Sequence, residues 1–163
     1  MTLDELNSAR DDAALRAALG ECCAAQSWVA RMITGRPYPD REAIREASDA
    51  ATAELDDVAL SDALAGHPRI GERANHAWSR HEQARVSAAG ADVRARLAQC
   101  NAAYEQRFGH VYLVCATGRT AEELLAVCED RLGNDAETER GVVLGELAKI
   151  NRIRLDKLLG AEG

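Results

Sequence analysis

Aromatic residues supply only 4% of this 163-residue sequence, and just one of them is a phenylalanine. Since 47% of the residues are hydrophobic all the same, alanine and leucine must build most of the core. No apolar run approaches the roughly 20 residues of a membrane-spanning helix, so no membrane partner is expected. The opening residues Met1-Thr2-Leu3-Asp4-Glu5 lack the cationic stretch and apolar centre of a secretory signal, which makes the cytoplasm the expected location. Positive charge is in deficit, with 20 basic residues against 27 acidic ones and a net charge of −7. The arginines are interleaved with Asp and Glu, so no basic patch exists to attract a phosphate backbone and nucleic acid is excluded as an expected partner. Five cysteines are an odd number, Cys22 and Cys23 are adjacent and no C-x-x-C pair occurs, which argues against a disulfide framework and a thiolate zinc site. They are expected to be reduced, mostly buried small hydrophobes. The histidines His67, His76, His81 and His110 show no H-E-x-x-H spacing, and no glycine-rich loop follows a strand. Neither a metal nor a nucleotide is expected.

Repeats and linker-like stretches are also missing, so residues 1–163 read as a single domain, long enough to bury about 70% of its unfolded surface. What is present is helix punctuation. Thr2-x-x-Glu5 and Thr120-x-x-Glu123 are capping boxes, in which the hydroxyl satisfies a first-turn N–H and the Glu reaches back to the cap's own N–H. Helical signal runs, with a break, to Gly20. Cys22 to Ile33 reads as the next helix, stopped by Gly35-Arg36-Pro37-Tyr38-Pro39. Asp40 caps a helix whose Ile44, Ala47, Ala51 and Leu55 form one buried stripe. A shorter helical segment, Val58 to Ala65, ends at Gly66. From Asp92 the positions Val93, Leu97, Cys100, Tyr104 and Phe108 form a second stripe, closed by Gly109 as a left-handed cap. Val111-Tyr112-Leu113-Val114-Cys115 is β-prone but too short and solitary for a sheet, so it reads as a buried extended stretch or a helical turn. A helix then runs to Gly133-Asn134, and a last long one from about Asp135 to Leu159. The expected fold is all-α, an orthogonal bundle of about eight helices.

Three places could carry chemistry. His67-Pro68-Arg69-Ile70-Gly71 follows the helix-ending Gly66, and Pro68 pushes His67 out of the helical region onto stiff backbone. Such a histidine is either a packed turn residue or a proton-transfer group, since its ordinary pKa of about 6.5 serves acid and base work alike. Ser79-Arg80-His81-Glu82-Gln83 is either a third capping box, opening a short helix to Val86, or a set of ligand-facing polar groups in which Glu82 orients or charges His67. On the last helix Val143, Leu147, Ile150, Arg154 and Leu158 share a stripe, and one of them is an arginine. A guanidinium on a buried face needs an anion, which is either an internal carboxylate or that of a substrate.

Together these segments resemble the OHCU decarboxylase family, whose members convert 2-oxo-4-hydroxy-4-carboxy-5-ureidoimidazoline to (S)-allantoin in urate breakdown. The likeness runs through Leu6-Asn7, Cys22-Cys23 with Trp28, Arg36-Pro37-Tyr38, His67-Pro68-Arg69-Ile70-Gly71-Glu72 and Ser79-x-x-Glu82-Gln83. It continues in Tyr104-x-x-Arg107-Phe108-Gly109, Gly118-Arg119, Arg131-Leu132-x-Asn134 and Lys149-Ile150 with Arg154-Leu155. The resemblance implies an all-α, commonly dimeric, cofactor-free decarboxylase acting on a small molecule. In it His67 is the catalytic histidine and Glu82 its acidic companion. Pro68, Ser79, Gln83, backbone groups from Tyr112 through Leu113, Val114 and Cys115 to Ala116, and Arg154 hold the substrate. His110 stands where the family usually has an aromatic residue, and Arg73 to Trp78 departs from its pattern. The alternatives are a lyase for a related ureido or imidazoline acid, and a helical interaction module without activity, which would need no cluster of His67, Glu82 and Arg154.

Overall fold

Local rules place most of the helix ends. The computed structural model describes residues 1–71 and 90–160, and among them are eight α-helices and no strand. They are α1 (Leu3–Ser8), α2 (Ala13–Cys22), α3 (Gln26–Thr34), α4 (Arg41–Ala53), α5 (Asp57–Ala65), α6 (Ala91–Phe108), α7 (Ala121–Arg131) and α8 (Ala136–Leu158). None of these is long and apolar enough to cross a membrane. Thr2 and Thr120 form the two expected capping boxes, and Asp12, Asp40 and Asp56 accept first-turn N–H groups at the starts of α2, α4 and α5.

Two boundaries depart from the sequence reading. Helix α2 runs past Gly20 to Cys22, because Leu15, Leu19 and Cys22 are buried at helical spacing. Helix α3 therefore begins at Gln26, after Cys23 and Ala25 take extended backbone. The Ser79 capping box and its short helix lie outside the described residues.

The chain divides into two compact units, Met1–Gly66 with Leu147–Gly163, and His67–Glu146. In the first, Leu6, Leu19, Trp28, Val29, Met32, Ile44 and Leu155 are buried. The loop after α3 is tied to α1 by paired hydrogen bonds, Asn7 Nδ2 donating to the Tyr38 carbonyl at 2.8 Å and the Tyr38 N–H to Asn7 Oδ1 at 2.9 Å. Arg36 Nη1 donates to the carbonyls of Leu6 (2.8 Å) and Ala9 (2.7 Å), which α1 leaves without intrahelical partners. Leu6-Asn7 and Arg36-Pro37-Tyr38 are thus scaffold. On α4, Ser48 and Thr52 are buried beside the expected Ile44 and Ala51, while Ala47 is half-buried and the expected Leu55, though buried, lies beyond the helix end. Thr52 Oγ1 donates to the Ser48 carbonyl (2.8 Å) and accepts from Asn151 Nδ2 on α8 (3.1 Å). The stripe of α8 drifts round the helix: Val143, Leu147, Ile150 and Arg154 are buried, but Leu155 and Leu159 take over from Leu158, which is half-buried.

The second unit packs Ile70, Leu97, Cys100, Tyr104, Tyr112, Val114, Leu124 and Cys128 into one core, with Val93 and Phe108 at its margin. All five cysteines are free, four buried and Cys115 half-buried.

Glycine separates two kinds of helix position. Gly109 ends α6 at φ +77° with no neighbour within reach of an added Cβ, so Gly109→Ala should cost about 1–2 kcal/mol from backbone strain alone. Gly141, inside α8, also faces open space, and Gly141→Ala should gain about 0.5–1 kcal/mol. Opposite shifts of the urea midpoint at constant slope are the expected result.

Candidate active site

The His67-Pro68-Arg69-Ile70-Gly71 segment owes its shape to α6. Arg69 grips Glu105 with Nε at 2.5 Å from Oε1 and Nη2 at 3.0 Å from Oε2. Asn101 Nδ2 donates to the Ile70 carbonyl at 2.8 Å, the Ile70 side chain enters the core, and Gly71 takes φ +90°, which suits glycine. Three residues after His67 therefore anchor the loop, and Pro68 stiffens it beside a half-buried His67. The Arg69–Glu105 pair is largely exposed and contributes geometry more than stability. A cavity of about 290 Å³ opens beside the loop, lined by Arg69, Ile70, Gly71, Arg94, Asn101 and Glu105 among others.

The stretch after Gly109 is neither helix nor strand, which resolves the alternative left by its sequence. With no ladder to join, its buried peptide groups find side chains and a turn instead. Arg131 Nη1 donates to the Leu113 carbonyl at 2.7 Å, the Cys115 N–H donates to Glu146 Oε2 at 3.0 Å, and the Ala116 carbonyl accepts from the Arg119 N–H at 3.1 Å. The Tyr112 hydroxyl donates to the Leu124 carbonyl at 2.8 Å. Burial holds the Tyr104 and Tyr112 phenols well above the usual tyrosine range, so both remain donors.

Behind the stretch lies a buried ion pair. Arg131 and Glu139 are 4% and 1% exposed, with Arg131 Nε 2.6 Å from Glu139 Oε1. Glu139 also accepts from the Tyr104 hydroxyl (2.9 Å) and Asn134 Nδ2 (3.1 Å), while the Arg131 guanidinium lies against the Tyr104 and Tyr112 rings at 5.6 and 5.0 Å. His110 does an aromatic residue's work: its ring meets Tyr104 edge-on at 5.5 Å and stacks near Phe108 at 6.3 Å.

Arg154 belongs to the other unit, where it is 5% exposed on α8. Cys22 and Cys23 feel its charge, yet burial dominates and raises both thiols, Cys22 to about 12, so neither offers it a thiolate near neutrality. Of the residues expected to form a site, His67, Pro68 and Tyr112 to Ala116 fall in one unit and Arg154 in the other, while Ser79, Glu82 and Gln83 lie outside the described residues. Within the 112–116 stretch the N–H of Cys115 is committed to Glu146. The sequence reading missed Arg131, Glu139 and Glu146 as the anchors of this stretch. For Glu139 and Glu146 a signal was available, since 139, 143, 146, 150 and 154 continue the three-and-four spacing that had singled out Arg154.

The comparisons with known proteins point one way. A family model described as OHCU decarboxylase matches residues 8–156. The uric acid degradation bifunctional protein TTL of Arabidopsis thaliana is 30% identical over 145 residues, 84% of this chain but only 45% of that protein. The 2-oxo-4-hydroxy-4-carboxy-5-ureidoimidazoline decarboxylase of Amia calva is 29% identical over 133 residues, 77% of this chain and 76% of its own length. Among solved structures, an OHCU decarboxylase crystallised in the presence of (S)-allantoin matches with a TM-score of 0.74 at 27% identity, covering 86% of this chain and 95% of that one.

Removing one partner of the buried pair exposes its role. Arg131→Ala should destabilise the protein by about 3–5 kcal/mol, since Glu139 is left charged and buried. Replacing both, Arg131→Met with Glu139→Leu, should cost less than the single change, as read by denaturant titration.

Proposed function

Because the chain belongs to the OHCU decarboxylase family, we propose that it converts 2-oxo-4-hydroxy-4-carboxy-5-ureidoimidazoline to (S)-allantoin and carbon dioxide. The observation that carries this reading is the anchored His67-Pro68 loop within a family match that runs from residue 8 to residue 156, which also supports one functional domain. In this substrate the carboxylate sits on a carbon next to an imine-type carbon. Breaking the carbon–carboxylate bond sends the electron pair towards the ring nitrogen, so no metal or pyridoxal sink is required. That nitrogen must take up a proton, the proton of the neighbouring hydroxyl must leave as a carbonyl forms, and the former imine carbon must be protonated on one face.

His67 is suited to that proton work, and Glu82 is its proposed companion, charging and orienting the imidazole. Pro68, Ser79, Gln83 and backbone groups of Tyr112 to Ala116 are proposed to hold the ring and its ureido arm. Arg154 is proposed to take the substrate carboxylate through two parallel hydrogen bonds. The same reading takes the enzyme to be a homodimer, as the family resemblance implies, and to work in the cytoplasm.

Generating the labile substrate in place and following its decay together with the handedness of the allantoin tests the proposal; racemic product at the uncatalysed rate would overturn it. His67→Ala should fold and lose about 10²–10⁴-fold in rate. A folded His67→Ala protein with the wild-type rate would return His67 to a turn residue. Arg154→Lys should lose about 1.5–3 kcal/mol in kcat/KM with little change in Tm. A variant that instead unfolds readily yet binds (S)-allantoin normally would assign Arg154 to the core.

A further inference from the structure

The 112–116 stretch has two edges, and one of them is occupied. In extended backbone, residues two apart turn their N–H and C=O groups to the same side. Arg131 takes the Leu113 carbonyl and Glu146 the Cys115 N–H, as such a pair would require. On that alternation the N–H groups of Val114 and Ala116 belong to the opposite edge. Both ends are fixed as well, by the Tyr112 hydroxyl on Leu124 and by the turn that brings the Arg119 N–H to Ala116.

We propose that Glu146 is a positioning residue, which holds the Cys115 peptide so that the N–H groups of Val114 and Ala116 are presented to a carbonyl or imide oxygen of the substrate ring. This rests on the function proposed above. Glu146 suits the task because it is 7% exposed on a long helix, and the bond that it accepts is charge-assisted and shielded from water. The Arg119 guanidinium, 3.9 Å from its other oxygen, keeps the carboxylate turned the same way. Arg131 performs the matching task on Leu113, but its ion pair with Glu139 also holds the core, so Glu146 gives the cleaner test.

The experiment uses the full chain and amide-resolved NMR with (S)-allantoin as the probe. In the wild type, titration should move the Val114 and Ala116 N–H resonances most and leave the Cys115 amide protected from exchange. A dominant shift at Cys115 would overturn the edge assignment, and needs no variant. Glu146→Met keeps the bulk and removes the acceptor: the Cys115 amide should exchange freely and KM should rise about tenfold, more than kcat falls. Glu146→Gln can still accept, and should restore protection and return KM to within about threefold of the wild type. Continued protection or an unchanged KM in a folded Glu146→Met protein overturns the positioning role. A Glu146→Gln protein as impaired as Glu146→Met shows that the charge and not the hydrogen bond matters, which also overturns it. If the wild type neither binds (S)-allantoin nor consumes the substrate, the function fails and the binding role with it. Exchange at Cys115 then reports separately on whether Glu146 holds the peptide.

Discussion

The second unit depends on keeping Arg131 charged and buried. A guanidinium out of water is costly unless its N–H groups and its charge are matched, and one missing partner turns a tolerable arrangement into a strongly unfavourable one. Here Nε and Nη2 face Glu139, Nη1 faces the Leu113 carbonyl, and two phenol rings cover the planar group. Glu139 is matched in turn by Tyr104 and Asn134. Residues of α6, α7, α8 and the 112–116 stretch therefore meet at one point, and each is placed by the need to satisfy the others. Three of the scarce aromatics gather here too, the Tyr104 ring meeting Phe108 at 4.7 Å and Tyr112 at 5.4 Å between centroids.

A short non-helical stretch in an all-α unit has to solve a problem that a sheet solves automatically. Its peptide groups are buried and have no neighbouring strand. Side chains from two helices meet that need at the Leu113 carbonyl and the Cys115 N–H. The same logic shapes the loop at His67. Arg69, Ile70 and Gly71 are used up in holding the backbone against α6, so that Pro68 and His67 sit on a support that cannot drift. Rigid placement of this kind is what a proton-transfer residue needs, because small displacements of the reacting groups weaken catalysis steeply.

In the first unit the polar contacts run along α8. Asn151 reaches Thr52, Arg152 grips Asp49 and Arg45 grips Asp156, so α4 and α8 are aligned by a row of side chains around the buried Arg154. The exposed members of that row are worth little individually, whereas the Thr52–Asn151 bond is buried between the two helices.

The caps of α1, α4 and α7, the glycine that closes α6 and most of each apolar stripe were legible in the sequence, because each depends on residues within one or two turns of each other. The family likeness was legible for a related reason: it rests on short, rigid motifs such as His67-Pro68-Arg69-Ile70-Gly71, whose spacing survives in the chain itself. What the sequence could not supply were the partners of charges far apart along it. Nothing local says that Arg131 meets Leu113, that Glu146 takes the Cys115 N–H, or that Asn101 holds the Ile70 carbonyl across 31 positions. Those pairings come from the packing of whole helices, which sets the distances that a hydrogen bond tests to within a few tenths of an ångström. Most helix ends, stripes and motifs were thus determined by the sequence alone, and the capture of the Leu113 carbonyl by Arg131 and of the Cys115 N–H by Glu146 was decided by the tertiary structure.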